Sequence, residues 1–117
     1  MSVAWSTYLR DLGRHQPSLS RKCISATRTL WAALADELPA LPDPETGHSE
    51  HGGLQLFWDW GVMHVNADVL PDGTLEWFAR NRETGETWGA EGCSVHDAPR
   101  ALITELGLVI QHGGGDA

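Results

Sequence analysis

The sequence predicts an α+β fold, in which N-terminal helices precede a four-stranded antiparallel β-meander and a C-terminal helix packs on one face of the sheet. Two spacings lead to this prediction. Before residue 39 the apolar residues recur at three- and four-residue steps, which is helical spacing, whereas from Leu54 they recur at every second residue, which is strand spacing. The strand segments are joined by short connections, so neighbouring strands must be antiparallel.

Two helices are expected in the N-terminal part. The first covers residues 3–12, and Gly13 is predicted to end it in a left-handed conformation. Ser18 or Ser20 is predicted to cap the second, which runs to about Leu38. The residues of its apolar stripe are Ile24, Thr27, Trp31, Leu34 and Leu38.

A proline-rich stretch from Pro39 to Gly53 follows, and it shows no periodicity. We predict a loop or extended acidic connector there, without a strand. The four predicted strands then lie near residues 54–60, 63–69, 75–80 and 87–91. Asp97 is expected to cap the last helix, and the residues of its stripe are Ala98, Leu102, Leu106 and Val109.

Alternation along the first three strands separates two sheet faces. One face is apolar and must be covered by the helices; its residues are Leu54, Leu56, Trp58, Trp60, Met63, Val65, Ala67, Val69, Leu75, Trp77 and Ala79. The other face mixes aromatic and polar groups; its residues are Gln55, Phe57, Asp59, His64, Asn66, Asp68, Glu76, Phe78 and Arg80.

Tryptophan is unusually frequent, with six residues in the chain. Core packing is the expected use of Trp31, Trp58, Trp77 and Trp88, because such large side chains bury much apolar surface. Trp60, which ends a strand beside a glycine, is the tryptophan expected to be exposed. An aromatic pocket for a sugar, a base or a quaternary amine is the alternative use.

The segments LPALPDPETGHSEHGGLQLFWDW and VLPDGTLEWFARNRETGETW span roughly residues 38–88. Their order of helix end, proline-rich connector, Gly-Gly, Trp-containing strand and Pro-Asp-Gly turn resembles that of a group of uncharacterised small bacterial proteins. The resemblance implies the same architecture. It implies no catalytic residues.

Charge is distributed unevenly along the chain. Residues 1–28 hold five basic residues and one acid, a net of 5 − 1 = +4, whereas residues 29–117 hold three basic residues and fifteen acids, a net of 3 − 15 = −12. Either the basic helices dock on the acidic sheet within one molecule, or the asymmetry steers a partner. The acidic total does not favour direct nucleic-acid binding.

Length predicts a single domain over residues 1–112, followed by a flexible glycine-rich tail at 113–117. No apolar run is long enough for a bilayer and no signal peptide is recognised, so we expect a cytoplasmic protein. Cys23 and Cys93 are then expected to be free thiols. His48 and His51 are interpreted as loop residues, and neither a metal site nor a cofactor is predicted.

Three functions are compatible with these features. The leading hypothesis is a non-catalytic protein-binding module, of an accessory, antitoxin-like or phage-defence-associated kind, whose partner-binding residues are Phe57, Asp59, Trp60, His64, Asp68, Glu76, Phe78 and Arg80. The partner would be another protein, and a homodimer is also compatible with the sequence. The alternatives are an acidic nucleic-acid mimic, similar to an anti-CRISPR inhibitor, and a small enzyme using Cys93 and His96 on a topology like that of ubiquitin-conjugating enzymes.

Overall fold

The computed structural model describes residues 3–48, 52–96 and 99–112, with only the backbone described at His48, Trp60 and His112. The described residues form an α+β fold. Along the chain, helices come before and after the strands of an antiparallel sheet. The elements are α1 (Val3–Arg10), α2 (Leu12–His15), α3 (Arg21–Glu37), β1 (Glu45–His48), β2 (Leu54–Trp60), β3 (Met63–Val69), β4 (Leu75–Asn81), β5 (Thr87–Cys93) and α4 (Arg100–His112).

The first predicted helix is divided into two. Helix α1 ends at Arg10, and Gly13 lies inside α2 without a positive φ, so the prediction that Gly13 ends a helix was wrong. The carbonyl oxygen of Asp11 accepts hydrogen bonds from the amides of Arg14 and His15, at 2.9 and 3.1 Å. These bonds continue a helical turn beyond the glycine.

Helix α3 is capped by Ser20, which confirms one of the two predicted caps. Its hydroxyl oxygen accepts a 3.0 Å hydrogen bond from the Cys23 amide and donates a 2.6 Å bond to the Pro71 carbonyl. Ser20 therefore both starts the helix and ties it to the turn between β3 and β4. The predicted stripe is confirmed, since Thr27, Trp31 and Leu34 are buried.

Within the described residues the sheet has five strands in the order β1-β2-β3-β4-β5, so the prediction of four strands was wrong. The additional strand, β1, lies in the predicted connector and pairs antiparallel with β2, from Glu45 opposite Phe57 to His48 opposite Leu54. Its sequence, ETGH, has no apolar alternation. Pairing through backbone hydrogen bonds leaves no hydrophobic pattern in the sequence, which is why periodicity missed this strand.

Strands β2 to β4 confirm the predicted division into two faces. Helix α3 lies over β3, and α4 lies over β2 and β4. Among the described side chains, the helices and the apolar face share one core, in which Leu30, Leu34, Leu56, Val65, Leu102 and Leu106 are fully buried.

The last strand is longer and more exposed than predicted. Strand β5 ends at Cys93 rather than near residue 91, and a register shift opposite Leu75 and Trp77 marks a bulge, where Gly92 has φ 66°. Trp88 is 37% exposed, so the prediction that it lies in the core was wrong. It lies on the helix side of an edge strand, and its indole nitrogen donates a 3.1 Å hydrogen bond to Glu105 of α4.

Several predictions fall outside the described residues: the Asp97 cap, Ala98, His51 and the tail at 113–117. Both cysteines are free thiols. Within the described part of the chain, no helix is long and apolar enough to cross a membrane.

Two glycine substitutions should change stability in opposite directions. A Cβ at Gly89 would overlap the Trp77 carbonyl oxygen and come within 2.7 Å of the Phe78 Cα, so Gly89→Ala should lower the free energy of unfolding by about 1–3 kcal/mol. A Cβ at Gly107 meets nothing within 4 Å, and Gly107→Ala should raise stability by up to about 1 kcal/mol, because alanine favours a helix interior. Urea denaturation of both variants checks this, and a stable Gly89→Ala protein would contradict the pairing of β4 with β5.

Candidate functional site

The sheet face opposite the helices is the candidate site, and we call it the open face. Its side chains alternate with the core residues on β2, β3 and β4. Asp59 and Arg80 are exposed, and most of the others are half-buried. The residues of the open face are Gln55, Phe57, Asp59, His64, Asn66, Asp68, Glu76, Phe78 and Arg80.

Three rings form the centre of the open face. Asn66 lies opposite Phe57 on one side and opposite Phe78 on the other, so the two phenylalanines flank β3. His64, two residues earlier on β3, lies between them, with ring centroids 5.7 Å from Phe57 and 5.8 Å from Phe78. Both phenylalanines are only partly exposed. This row is an apolar centre with a polar surround.

An ion-pair network fixes the histidine. The Nδ1 atom of His64 lies 2.7 Å from the Asp59 carboxylate, which also accepts a hydrogen bond from Arg82. Partial burial raises the pKa of Asp59, but the hydrogen bonds and positive charge of His64 and Arg82 outweigh this effect and hold that pKa below its ordinary value of 3.8.

Arg82 is a site residue that the sequence analysis missed. It lies in the turn between β4 and β5, and its amide donates a 2.8 Å hydrogen bond to the carbonyl of Val62 in the turn between β2 and β3. This bond joins the two turns and brings the Arg82 guanidinium to Asp59. A contact across 23 residues leaves no local sequence signal.

The other end of the open face is acidic. Asp68 lies directly opposite Glu76, so two carboxyl groups are neighbours across β3 and β4. Burial raises the pKa of Asp68 above 3.8, and this is partly offset by a 2.5 Å hydrogen bond that Asn66 donates to its carboxylate. Asn66 itself is buried, at 5% exposure, although its position predicted a surface residue.

A cavity of about 540 Å³ adjoins this acidic end. Phe78 and three acidic residues, Asp68, Glu76 and Glu91, are among its lining residues. The position opposite Phe78 on β5 is Gly89, which has no side chain to cover the ring. The open face therefore combines aromatic surface with negative charge at the β5 edge.

The structure brings most of the predicted partner-binding residues together. Phe57, Asp59, His64, Asp68, Glu76, Phe78 and Arg80 all lie on the open face. Trp60 is the exception: its backbone ends β2 in the register of the apolar face, opposite Met63, and its side chain is outside the described part of the structure.

Cys93 and His96 lie in a different place, on a cleft of about 590 Å³ between α3 and the end of β5. Arg21 and Lys22 of α3 line the same cleft. The Cys93 sulfur lies 3.8 Å from the carbonyl oxygen of Glu91. A nucleophilic cysteine requires an imidazole close to its thiol, and it also requires a nearby group that stabilises the thiolate.

His48 and His51 are the close histidine pair for which the sequence predicts loop positions and no metal site. The backbone of His48 ends β1, so the prediction of a loop position was wrong for this residue, and the side chains of both His48 and His51 are outside the described part of the structure. Among the residues that the structure does describe, no group of three or more histidine, cysteine, aspartate or glutamate side chains could hold a metal ion.

Known proteins give a partial match to this chain. No family model matches it, and no solved structure gives a significant match. A 53-residue segment is 36% identical to part of the cation-transporting P-type ATPase B of Mycobacterium bovis and of Mycobacterium tuberculosis strain H37Rv. The match covers 45% of this chain and 7% of the ATPase, so the chain spans a small fraction of those relatives. No family of known function is found.

The two acidic side chains Asp59 and Asp68 should give opposite pH dependences of stability. The lowered pKa of Asp59 means that its ionised form stabilises the fold above about pH 4 and that this contribution disappears as the pH falls further. Asp59→Asn should therefore destabilise the protein at neutral pH, by less than about 1 kcal/mol because the pair is partly exposed. The destabilisation caused by this substitution should be smaller at about pH 3.

Asp68 has a raised pKa, so its ionisation lowers stability as the pH rises through the range above 3.8. Asp68→Asn should accordingly gain stability relative to the parent protein at neutral pH and lose that advantage near pH 4. Urea denaturation of both variants across this range measures the two trends. Parallel trends for the two variants would contradict the assigned environments.

Proposed function

We propose that the protein is a non-catalytic protein-binding module, of an accessory, antitoxin-like or phage-defence-associated kind, and that it binds its partner through the open face. The observation that carries this proposal is the row formed by Phe57, His64 and Phe78 on the side of the sheet opposite the helices. Half-buried aromatic residues at the centre of a polar surface are typical of the residues that dominate binding energy at protein interfaces.

Rigidity of the open face supports the same proposal. The carboxylate of Asp59 contacts both His64 and Arg82 through hydrogen bonds. Arg82 is held in turn by the hydrogen bond that joins the two turns. A surface whose side chains are already ordered loses less conformational entropy when a partner binds. The rings and their polar neighbours therefore present a preformed surface.

Charge indicates the chemistry of the partner. Asp68, Glu76 and Glu91 line one cavity beside Phe78, and Asp68 lies directly opposite Glu76. Complementary charge favours a partner with a basic surface and raises its association rate. The same acidic cavity favours the second candidate, an inhibitor that imitates nucleic acid and occupies a basic groove.

Replacing both central phenylalanines should abolish binding. The double variant Phe57→Ser/Phe78→Ser removes the aromatic surface, and we expect at least about a hundredfold loss of affinity, since hot-spot residues each contribute about 2 kcal/mol or more. The matched control is Val3→Ser, because Val3 is an exposed apolar residue, at 84%, at the start of α1 and outside the open face. Affinity capture from the native host with the three proteins as bait, followed by isothermal titration with the purified partner, measures the effect.

Circular dichroism would verify that the double variant is folded. A folded double variant that binds as tightly as the parent would show that the open face is the wrong surface. Titrations at low and high salt then separate the two candidates. An aromatic-centred interface should retain most of its affinity in salt, whereas a nucleic-acid mimic should lose affinity steeply and with each neutralised acid, such as Glu76→Gln.

A further inference from the structure

A second cavity, of about 630 Å³, lies at the β1 edge of the sheet, where α1 meets the connector. Helix α1 contributes Trp5 and Tyr8, the connector and β1 contribute Asp43 and Glu45, and β2 contributes Phe57. The volume is in the range of small-ligand sites. We call this the aromatic cavity; Ala4, Pro44 and Thr46 also line it.

The aromatic walls of this cavity are held in place before any ligand binds. Trp5 and Tyr8 are stacked, with ring centroids 5.3 Å apart and planes 19° apart. Trp5 also makes an edge contact with Trp31 of α3, at 5.1 Å, and Tyr8 stacks on His15, at 5.3 Å. The Tyr8 hydroxyl accepts a 3.3 Å hydrogen bond from Gln16. Rings fixed in this way form a preorganised apolar wall.

The polar part of the lining is acidic. Asp43 and Glu45 are both exposed side chains of the cavity, and none of its described lining residues is basic. A smaller cavity of about 300 Å³ is also lined by Phe57, together with Asp43, Glu45 and Asp59. Phe57 thus shares its surroundings with three carboxylates. The charged side chains that line the aromatic cavity are therefore acidic, which favours a cation over an anion.

The aromatic wall and the acidic lining of the cavity together favour one kind of ligand. Aromatic rings attract cations through their quadrupole and also favour apolar surface, and carboxylates supply the opposite charge. A methylated ammonium group has both a positive charge and an apolar surface, whereas a strongly hydrated inorganic cation would gain nothing from the rings. We propose that the aromatic cavity binds a methylated ammonium group, carried by a small organic cation or by a methylated lysine side chain.

This site goes beyond the proposed partner surface, and Phe57 is the residue that the two share. Phe78, His64 and Arg80 do not line the aromatic cavity. Loss of partner binding therefore does not imply loss of cation binding. Each of the two proposals can be wrong while the other is right.

Titration with defined cations tests the proposal. Tryptophan fluorescence and isothermal titration would follow binding of choline, of tetramethylammonium and of N-acetyl-trimethyllysine amide. The matched probe is the neutral isostere of choline, in which carbon replaces nitrogen, because it keeps the shape and removes the charge. We expect the cations to bind at least about tenfold more tightly than the neutral isostere, as the cation–π attraction and the carboxylates require.

Variants locate the site. Glu45→Gln, which keeps the shape of an exposed side chain, should weaken cation binding several-fold, and Tyr8→Leu should weaken it about tenfold while Tyr8→Phe retains it. As a control, Glu86→Gln removes an exposed acid that does not line the cavity, and this variant should bind the cations as the parent does.

The comparison of choline with the lysine derivative identifies the source of the ammonium group, and tighter binding of either one supports the site. Absence of cation binding to the folded parent protein at millimolar concentrations would overturn the proposal. Equal affinity for the neutral isostere, or unchanged cation affinity in both Glu45→Gln and Tyr8→Leu, would overturn it as well.

Discussion

Helices α3 and α4 bury their apolar stripes against a single face of the sheet, and the position of the open face follows from this packing. Alternate residues of β2, β3 and β4 enter the core beneath the helices, where Leu34, Leu56 and Leu106 are fully buried. Because side chains alternate along a strand, the remaining residues must lie on the opposite face. Burying a large aliphatic side chain contributes about 1.5–3 kcal/mol, so a slip of one residue in the register would exchange the two faces at a large loss of stability. The open face is therefore fixed by the core on the other side of the same strands.

Long-range hydrogen bonds then determine what surrounds the open face. The bond from the Arg82 amide to Val62 brings two turns together and lets the guanidinium reach Asp59. At the opposite edge, the Trp58 indole nitrogen donates a 2.9 Å hydrogen bond to the Pro42 carbonyl, which holds the connector against β2. The side chain of Arg28 donates to the carbonyls of Leu9 and Arg10, at 2.9 and 2.7 Å, and so ties α1 to α3. Such contacts place the aromatic cavity beside Phe57 without any contribution from the repeating pattern of the strands.

Sequence reasoning succeeded where a repeating side-chain pattern carried the information. Period-two alternation placed Phe57 and Phe78 on the same face, and three- and four-residue steps identified the buried stripe of α3. It failed where the structure depends on backbone pairing or on distant contacts. Strand β1 pairs through its main chain, Arg82 acts across the sheet, and Trp88 is exposed because β5 is an edge strand. The cavity formed by Trp5, Tyr8 and Phe57 needed the position of α1 against the sheet, which no spacing in the sequence specifies.

Amide chemical shifts measured during titration with the purified partner test most directly whether the open face is the binding surface. In ¹H–¹⁵N spectra of the labelled protein, we expect shifts to change mainly at Asn66, Phe78 and Gly89, which lie in one row across β3, β4 and β5. The amides of Leu30 and Leu34, on the far side of the core, should change little. Changes centred on α3 and on the cleft beside Cys93, with the row across the sheet unaffected, would show that the partner binds on the opposite side of the molecule and not at the open face.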